Sequence, residues 1–364
     1  MNVVVSGMVA GDPGQGGAAW AILQYVLGLR RLGHDVTLVE PVDELTPDRV
    51  SVFRRIVARF DLRAALVADD RSAGLTLREV DDTCRSADVH LNVSGMWRGG
   101  LDVPVRVYLD LDPAFNQLWA DVEGIDVGLD GHTHHATVGQ HVGAVGCEVP
   151  TCGRTWIRTL PPVVLEHWPY AATRARHSFT TIGNWRSYGS IEHGGRVYGQ
   201  RAHSLRRLAG IASSSTHSFE VALAIHADEH EDLALLRRHG WRLVDPAFAA
   251  STPSAYRAFI RSSYAELSVA KSGYVESRCG WVSDRSVCYL ASGRPVVALD
   301  TGLRDVLPVG EGLLVYTDEA EAVAAVDDVC ARYVEHRTAA RRLAEEHFDS
   351  DLVLTRLLDE VGAR

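Results

Sequence analysis

The fold of this chain is decided by residues 269–285, which read VAKSGYVESRCGWVSDR. The run before Lys271 is short and apolar, which is typical of a buried strand in a parallel sheet. A polar, glycine-bearing loop follows, and Ser283 is placed to cap a helix predicted over 284–291. Because the first turn of a helix has free backbone N–H groups, this stretch predicts an anion site beside Lys271 and Arg278.

The same alternation of strand and helix continues on both sides of this stretch. In the second half, strands are predicted at 179–183, 218–225, 241–244, 267–269 and 295–299, with helices at 201–209, 229–238 and 253–261. In the first half, strands are predicted at 3–5, 36–39, 89–93 and 105–109, with helical spacing over 19–33 and helix-compatible sequence over 50–66. Two such series predict an α/β protein with two Rossmann-like domains that face each other across a cleft.

The boundary between these domains is predicted where the composition changes, around 161–176. Three prolines stand there, followed by small and basic residues over 171–176. We therefore predict an N-terminal domain over 1–172 and a C-terminal domain over 173–345. Residues 346–364 are predicted to form a helix that crosses back to the first domain. Thr317 is placed to cap the start of the helical tail.

Charge and cysteine usage narrow the class of protein. The 364 residues carry a formal net charge of -10, and such an acidic chain repels nucleic acid. Six cysteines without paired C-x-x-C spacing are expected to be free thiols in a reducing compartment. The N-terminus lacks a signal-peptide pattern, and no apolar run reaches the roughly 20 residues of a membrane span. We expect a cytoplasmic protein, and the sequence does not indicate its oligomeric state.

Several segments in order along the chain resemble one enzyme family. Glu276 and Asp284 are separated by seven residues, like the Glu-x7-Glu signature of the retaining family-4 (group 1) glycosyltransferases, which have the GT-B fold. Residues 291–297, ASGRPVV, are similar to that family's A-x-G-x-P-V-V segment, and residues 310–314, GEGLL, are similar to its G-x-x-G-L-L turn. Gly16-Gly17 before a helix that ends in Gly33-His34-Asp35-Val36 resembles the family's opening. The second carboxylate departs from the pattern, because it is Asp rather than Glu.

The resemblance implies a glycosyltransferase that moves a hexosyl group from a nucleotide diphosphate sugar to a small-molecule or glycan acceptor. Donor binding would fall to the second domain and acceptor binding to the first, with retention, without a metal and without a cofactor. Lys271 would neutralise the diphosphate, Glu276 would hold the donor sugar, and Asp284 would hold the ribose. Further donor-site residues are expected to be Gly183, Asn184, Trp185, Arg186 and Ser283. On the acceptor side and at the glycine loop we expect Gly16, Gly17, Asp110 and His134.

Other classes of protein stay open at this point. Gly14 to Ala19 fits G-x-G-x-x-A with Glu40 further on, which is typical of a dinucleotide site and predicts an NAD-dependent oxidoreductase. A nucleotide-sugar epimerase or a binding protein without turnover would suit the same fold. His226 to His230 matches H-x-x-E-H, but the segment before it alternates as a strand rather than a helix, which disfavours zinc. Asp110 and Asp112 are read as part of a turn rather than as a metal site.

Overall fold

The first of two sheets is built from the N-terminal half of the chain. The structure, a computed structural model, describes residues 1–99, 102–173 and 176–363. The strands of the first sheet are β1 (Asn2–Ser6), β2 (Asp35–Pro41), β3 (Arg63–Ala68), β4 (Arg71–Gly74), β5 (Val89–Val93), β6 (Val105–Asp110), β7 (His134–Thr137) and β8 (Trp156–Arg158). Their order is β4-β3-β2-β1-β5-β6-β7-β8, and only the β3–β4 pair is antiparallel. The helices of this half are α1 (Gly16–Arg31), α2 (Pro47–Phe60), α3 (Leu77–Arg85) and α4 (Phe115–Asp121).

The second sheet has the order typical of a dinucleotide-binding fold. Its strands are β9 (Phe179–Asn184), β12 (Phe219–Ala224), β13 (Arg242–Leu243), β14 (Ala265–Ser268), β15 (Val296–Leu299) and β16 (Leu313–Tyr316), and β10 (Ile191–His193) and β11 (Arg196–Tyr198) form a separate hairpin. The order is β13-β12-β9-β14-β15-β16, and all strands are parallel. From β9 the chain first adds strands on one side, β12 and β13, and then on the other, so the strand order reverses between β9 and β14. In open α/β sheets, ligands bind outside the carboxyl ends of the strands at such a reversal.

Helices connect these strands and form the C-terminal tail. They are α5 (Arg201–Arg207), α6 (Ile211–Ser214), α7 (His230–Arg238), α8 (Pro246–Ala250), α9 (Pro253–Ser262), α10 (Ser272–Ser277), α11 (Asp284–Ala291), α12 (Glu319–Ala331), α13 (Tyr333–Leu343) and α14 (Ser350–Glu360), with a 3-10 turn at Leu303–Asp305 and a π-helical turn at Ala344–Phe348. Asp318, rather than the expected Thr317, caps α12, because its side chain accepts from the Glu321 N–H. No helix in the described part of the chain is long and apolar enough to cross a membrane.

The final helix packs against the first helix of the chain. Arg31 at the end of α1 donates to Asp351 at 2.9 Å. A side chain at Gly28 would overlap Leu354 and Ser350 of α14, so the two helices approach at a position where only a glycine fits. Just before α14, Val163 exchanges backbone hydrogen bonds with Phe348 and Ser350. The tail therefore contacts elements of the first sheet.

The architecture is GT-B: two Rossmann-like parallel α/β sheets face each other across a cleft, as the strand and helix pattern predicted. Two local expectations were wrong. The segment 50–66 is not one helical stretch, because α2 ends at Phe60 with Asp61 in the left-handed conformation and β3 follows. The predicted loop after Lys271 contains the short helix α10. The predicted connection at 171–176 includes residues 174 and 175, which lie outside the described residues, as does residue 364 of the predicted final segment.

Candidate active site

A cavity of about 380 Å³ lies between the two sheets. It is at the carboxyl ends of β9 and β14, where the strand order of the second sheet reverses. Leu111 and Asp112 line it from the first sheet, after β6. Of the residues predicted from the sequence, those that line this cleft are Gly17, Gly183, Asn184, Lys271, Ser283 and Asp284.

The start of α11 forms one wall of the cleft. Ser283 is its N-cap in extended backbone conformation, but the serine side chain makes no capping hydrogen bond. Its Oγ is buried and has no hydrogen-bond partner within the described part of the chain. Asp284 follows in the first turn, and burial raises the pKa of its carboxyl group. The wall thus offers a buried hydroxyl, a carboxyl group and the positive end of a helix to a ligand.

Lys271 lines the same cleft, at the N-cap of α10. Its Nζ is 3.0 Å from Asp112 Oδ2, and it also donates to the hydroxyl of Tyr188. The ammonium lies 4.2 Å from the centroid of the Tyr188 ring and 5.2 Å from that of Tyr274. Burial lowers the pKa of Lys271, and the nearby charge of Asp112 opposes this effect. The lysine is therefore held as a partly desolvated cation inside an aromatic cage.

Lys271 is also the only lysine among the 37 lysines and arginines of the sequence. The sequence alone shows this, although it was not among the signals that predicted the site. A chain that uses arginine at every other basic position has a lysine at the cleft, where a compact point charge fits between three ring systems.

Arg201 is a second cation at the cleft and was not among the predicted site residues. It is 6% exposed, and it donates to the backbone oxygens of Val269 at 2.8 Å and Asn184 at 2.7 Å. It forms no ion pair with any carboxylate of the described residues. Burial lowers the pKa of Arg201 to about 10, so the group stays charged at neutral pH. A side chain at position 183 would overlap the guanidinium of Arg201. The close packing of Arg201 therefore explains why a glycine stands at this position.

Glu276 does not reach the cleft. On the short helix α10, Lys271 and Tyr274 face the cleft, whereas Glu276 lines a separate cavity of about 370 Å³ together with Arg278. Its nearest cation is Arg207 at 3.9 Å, and Arg278 pairs with Asp305 at 3.3 Å. The expected contact between Glu276 and a donor sugar in the cleft was wrong, because the predicted loop is helical and turns this side chain away.

Two predicted donor residues on the loop after β9 also lie outside the cleft lining. Trp185 is 1% exposed, packs in the core of the second domain and donates from Nε1 to Asp232 at 2.7 Å. Arg186 pairs with Glu229 at 2.6 Å. Both side chains therefore hold the loop against the start of α7. Of the residues predicted on this loop, Gly183 and Asn184 line the cleft.

The expected acceptor residues are placed differently from the prediction. Asp110 is fully buried and accepts from Asn116, Gln117 and Thr137, so its oxygens are occupied by the protein. Burial raises the pKa of Asp110. His134 begins β7, at the amino edge of the parallel sheet, which is the edge away from the cleft. Asp112, two residues after Asp110, is the carboxylate of this segment that lines the cleft.

The start of α1 packs against protein on one side, although Gln15, Gly17 and Ala18 line the cleft. A side chain at Gly16 would overlap the backbone oxygen of Thr252, and Gly17 packs against the ring of Tyr256. Gly16 therefore permits contact between α1 and α9 rather than approach of a ligand. Glu40, the expected ribose ligand of a dinucleotide site, is buried and accepts from the N–H groups of Ala10 and Gly11. The Glu40 carboxyl group is therefore occupied by the protein rather than free to bind a ribose.

No protein-family profile and no curated protein sequence match this chain. Solved structures do match it over nearly its whole length. An α-glucosyltransferase in complex with UDP and a 13-mer DNA containing a HMU base has a TM-score of 0.62 at 12% identity, with 99% of each chain covered. HepE from Anabaena in complex with UDP and glucose has a TM-score of 0.58 at 10% identity, with 100% of each chain covered. A glycosyltransferase from Rickettsia africae has a TM-score of 0.55 at 10% identity, covering 99% of this chain and 97% of that one. At these identities the likeness shows the shared fold.

Proposed function

We propose that this chain is a glycosyltransferase that moves a sugar from a nucleotide diphosphate sugar to an acceptor. The observation that carries the proposal is Arg201: a buried guanidinium without an ion pair among the described residues, at the reversal of strand order. A buried charge is costly unless an opposite charge accompanies it. A diphosphate in the cleft would supply that charge. The structural neighbours described as complexes with UDP or with UDP and glucose agree with this ligand class.

Different residues of the cleft would bind the diphosphate and the ribose of such a donor. Arg201, Lys271 and the free N–H groups of α11 would hold the diphosphate. Asp284 would accept hydrogen bonds from the ribose hydroxyls, and the unpartnered Ser283 hydroxyl would bind a neighbouring oxygen. Gly183 and Asn184, at the end of β9, would let the donor approach the backbone closely.

The acceptor would enter from the first domain, which we propose to span 1–172, with the donor domain over 173–345. Asp112 is the carboxylate of the first domain in the cleft, so we assign it the acceptor-facing position first expected of Asp110. One structural neighbour is a complex with DNA. For this chain we propose a small-molecule or glycan acceptor, because its net charge of -10 opposes the approach of a nucleic acid.

We also propose transfer with retention and without a metal. In that chemistry the leaving diphosphate receives the proton of the acceptor hydroxyl on the same face of the sugar, so no side-chain nucleophile is needed. The protein then has to stabilise the negative charge that develops on the diphosphate as the glycosidic bond breaks. Arg201, Lys271 and the α11 N-terminus are preorganised for that task, since neighbouring groups hold both cations in place.

The proposal is tested by calorimetry with UDP, GDP, dTDP and ADP, each compared with its nucleoside. We expect one diphosphate to bind and Arg201→Gln to weaken it about tenfold or more, as for the loss of a charged hydrogen bond, while nucleoside binding changes little. Arg207→Gln, on the exposed side of the same helix, is the matched control and should leave binding unchanged. If none of the four diphosphates binds the wild-type protein, the proposed function is wrong.

A further inference from the structure

A second cavity, against the first sheet, has no part in the cleft. It measures about 750 Å³, within the range of roughly 300–1,000 Å³ that is usual for small-molecule sites. It lies against the first sheet and shares no lining residue with the cleft. Its described lining is His90, Asn92, Trp97, Arg98, Arg106 and His132, with three aspartates and three glycines on the loops around them.

The floor of this cavity is formed by polar side chains on central strands. His90 and Asn92 alternate along β5 and therefore project from the same face, and Arg106 pairs with His90 in the register of β5 and β6. His90 is 2% exposed and Asn92 is 1% exposed, although apolar residues normally fill such positions. The described part of the connection between β5 and β6 contains no helix. The Asn92 side chain donates to the backbone oxygen of Trp97 and accepts from the Trp97 N–H.

Some hydrogen-bonding capacity of these side chains is unused. Arg106 donates from Nε to Gly131 at 2.7 Å and from Nη1 to Val103 at 2.6 Å, which fixes its guanidinium while Nη2 bonds to none of the described residues. The indole Nε1 of Trp97 is buried and likewise unpartnered there. His90 contacts Ser6 through Nε2 at 2.8 Å, and its Nδ1 has no hydrogen-bond partner in the same set of residues. Two donors and one imidazole nitrogen thus remain for a ligand.

The charge of the lining selects the class of ligand. The lining contains two arginines and three aspartates, Asp102, Asp126 and Asp130. The cavity therefore has no excess of positive charge that would attract an anion. Burial lowers the pKa of His90 to about 3, and it also lowers the pKa of His132, so neither histidine adds a cation at neutral pH. Planar donors, carboxylate acceptors and an indole edge together are the groups that bind the hydroxyls of a neutral polyol.

We propose that this cavity is a second carbohydrate site, which binds a neutral oligosaccharide on the face of the first sheet away from the cleft. The inference goes beyond the proposed function and does not require it, because no residue is shared by the two sites. Arg106 near the start of β6 lines the cavity, and Asp110 ends that strand next to the cleft segment. They are four residue steps apart along β6, or about 13 Å.

The site is tested by ligand-observed NMR and calorimetry on the whole protein with maltotriose, cellotriose and chitotriose. Two variants probe it. Arg106→Lys keeps the charge but removes the planar fork, and Arg98→Ala removes a half-exposed side chain at the rim. Arg71→Ala, which removes an exposed side chain at the start of β4, is the matched control for Arg98→Ala. Thermal unfolding of each variant establishes that it is folded.

We expect at least one trisaccharide to bind, and Arg106→Lys and Arg98→Ala to weaken it about tenfold and about threefold while nucleotide binding at the cleft stays unchanged. Inorganic phosphate should not compete. The inference is overturned if none of the trisaccharides binds, if neither folded variant changes their affinity, or if phosphate displaces them. If the protein binds a trisaccharide but no nucleotide, the proposed function is contradicted and the proposed carbohydrate site is not.

Discussion

The Nζ of Lys271 in the second domain lies 3.0 Å from Oδ2 of Asp112 in the first domain, so one ion pair bridges the cleft. Tyr188 and Tyr274 donate to the same carboxylate, which therefore receives three donors from the opposite domain. A diphosphate that approaches Lys271 would come close to the Asp112 carboxylate, which already pairs with this lysine. The pair therefore couples donor binding to the contact between the domains.

Replacing Lys271 tests its role in catalysis. Lys271→Ala should lower kcat by about two to three orders of magnitude, the range seen when one preorganised charge-stabilising group is lost. The KM for the donor should change less, because the charge of the leaving group grows toward the transition state. Lys271→Arg should recover only part of the rate, since the planar fork does not fit the cage of three rings. Near-normal kcat in a folded Lys271→Ala protein would show that the diphosphate is held without it.

The single lysine allows its titration to be followed directly. Reductive methylation with ¹³C-formaldehyde labels Lys271 as the only side-chain amine of this sequence. The NMR titration should give a pKa for Lys271 below its ordinary 10.5, because burial disfavours the charged form. Asp112→Asn should lower this pKa further, since it removes the charge that opposes burial. An unchanged titration in Asp112→Asn would mean that the ion pair does not form in solution.

Asp284 is expected to bind the ribose of the donor. Asp284→Ala should weaken nucleotide diphosphate binding on the order of tenfold to a hundredfold, as for a hydrogen bond of about 1.5–3 kcal/mol to a charged group. Thermal stability should not fall, because burial already opposes ionisation of this carboxyl group. Calorimetry measures the affinity, with Asp327→Ala on exposed α12 as the control. Equal affinities for wild type and Asp284→Ala would rule out the ribose assignment.

Glu40 should make folding stability depend on pH. Burial raises the pKa of Glu40 from 4.5 to about 7, so the unfolded chain loses this proton at lower pH than the folded protein. The contribution of Glu40 to the free energy of unfolding is fully present below about pH 4.5 and is lost as the pH rises to about 7. The free energy of unfolding lost over this interval is roughly 3 kcal/mol.

Urea unfolding at about pH 5 and about pH 8 measures this effect as the difference between wild type and Glu40→Gln. The difference is the quantity to compare, because buried histidines titrate in the same range with the opposite sign. Wild type should lose more stability than the variant over this interval. Parallel pH profiles for the two proteins would show that Glu40 is ionised in both states.

Turnover should be insensitive to EDTA, because Arg201, Lys271 and the start of α11 supply the positive charge that a metal supplies in other transferases. The assay measures sugar transfer before and after chelation, with Mn²⁺ or Mg²⁺ added back. Loss of activity with EDTA that either ion restores would contradict metal-independent transfer.

The fold could be predicted because its signal is local and repeated. Short apolar runs followed by helical spacing recur on both sides of residue 172, and most of these runs became strands of the two sheets. The strands β7 and β8 were harder to recognise, since they have only three or four residues and little periodicity. The helix α3 was missed, although Thr76 and Glu79 form a capping box that predicts its start.

The site was harder to predict because motif spacing does not specify where side chains point. Lys271, Ser283 and Asp284 line the cleft, since strand ends and helix starts are fixed by the topology. Glu276 was misplaced because a loop was expected where α10 forms, and one helical turn rotated it away. Arg201 had a signal that was overlooked: it is the first residue of α5, where the helix dipole disfavours a cation.

The packing of α14 on α1 has a consequence for synthesis of the chain. The ion pair between Arg31 and Asp351 joins residues 320 positions apart. At about 5–20 residues per second, the ribosome needs roughly 16–64 s to make the intervening chain. Throughout that time the surface of α1 that α14 covers is exposed in the nascent protein. Chaperone contacts during translation should therefore concentrate on α1, and a stop codon before residue 350 should yield a chain that is captured rather than released.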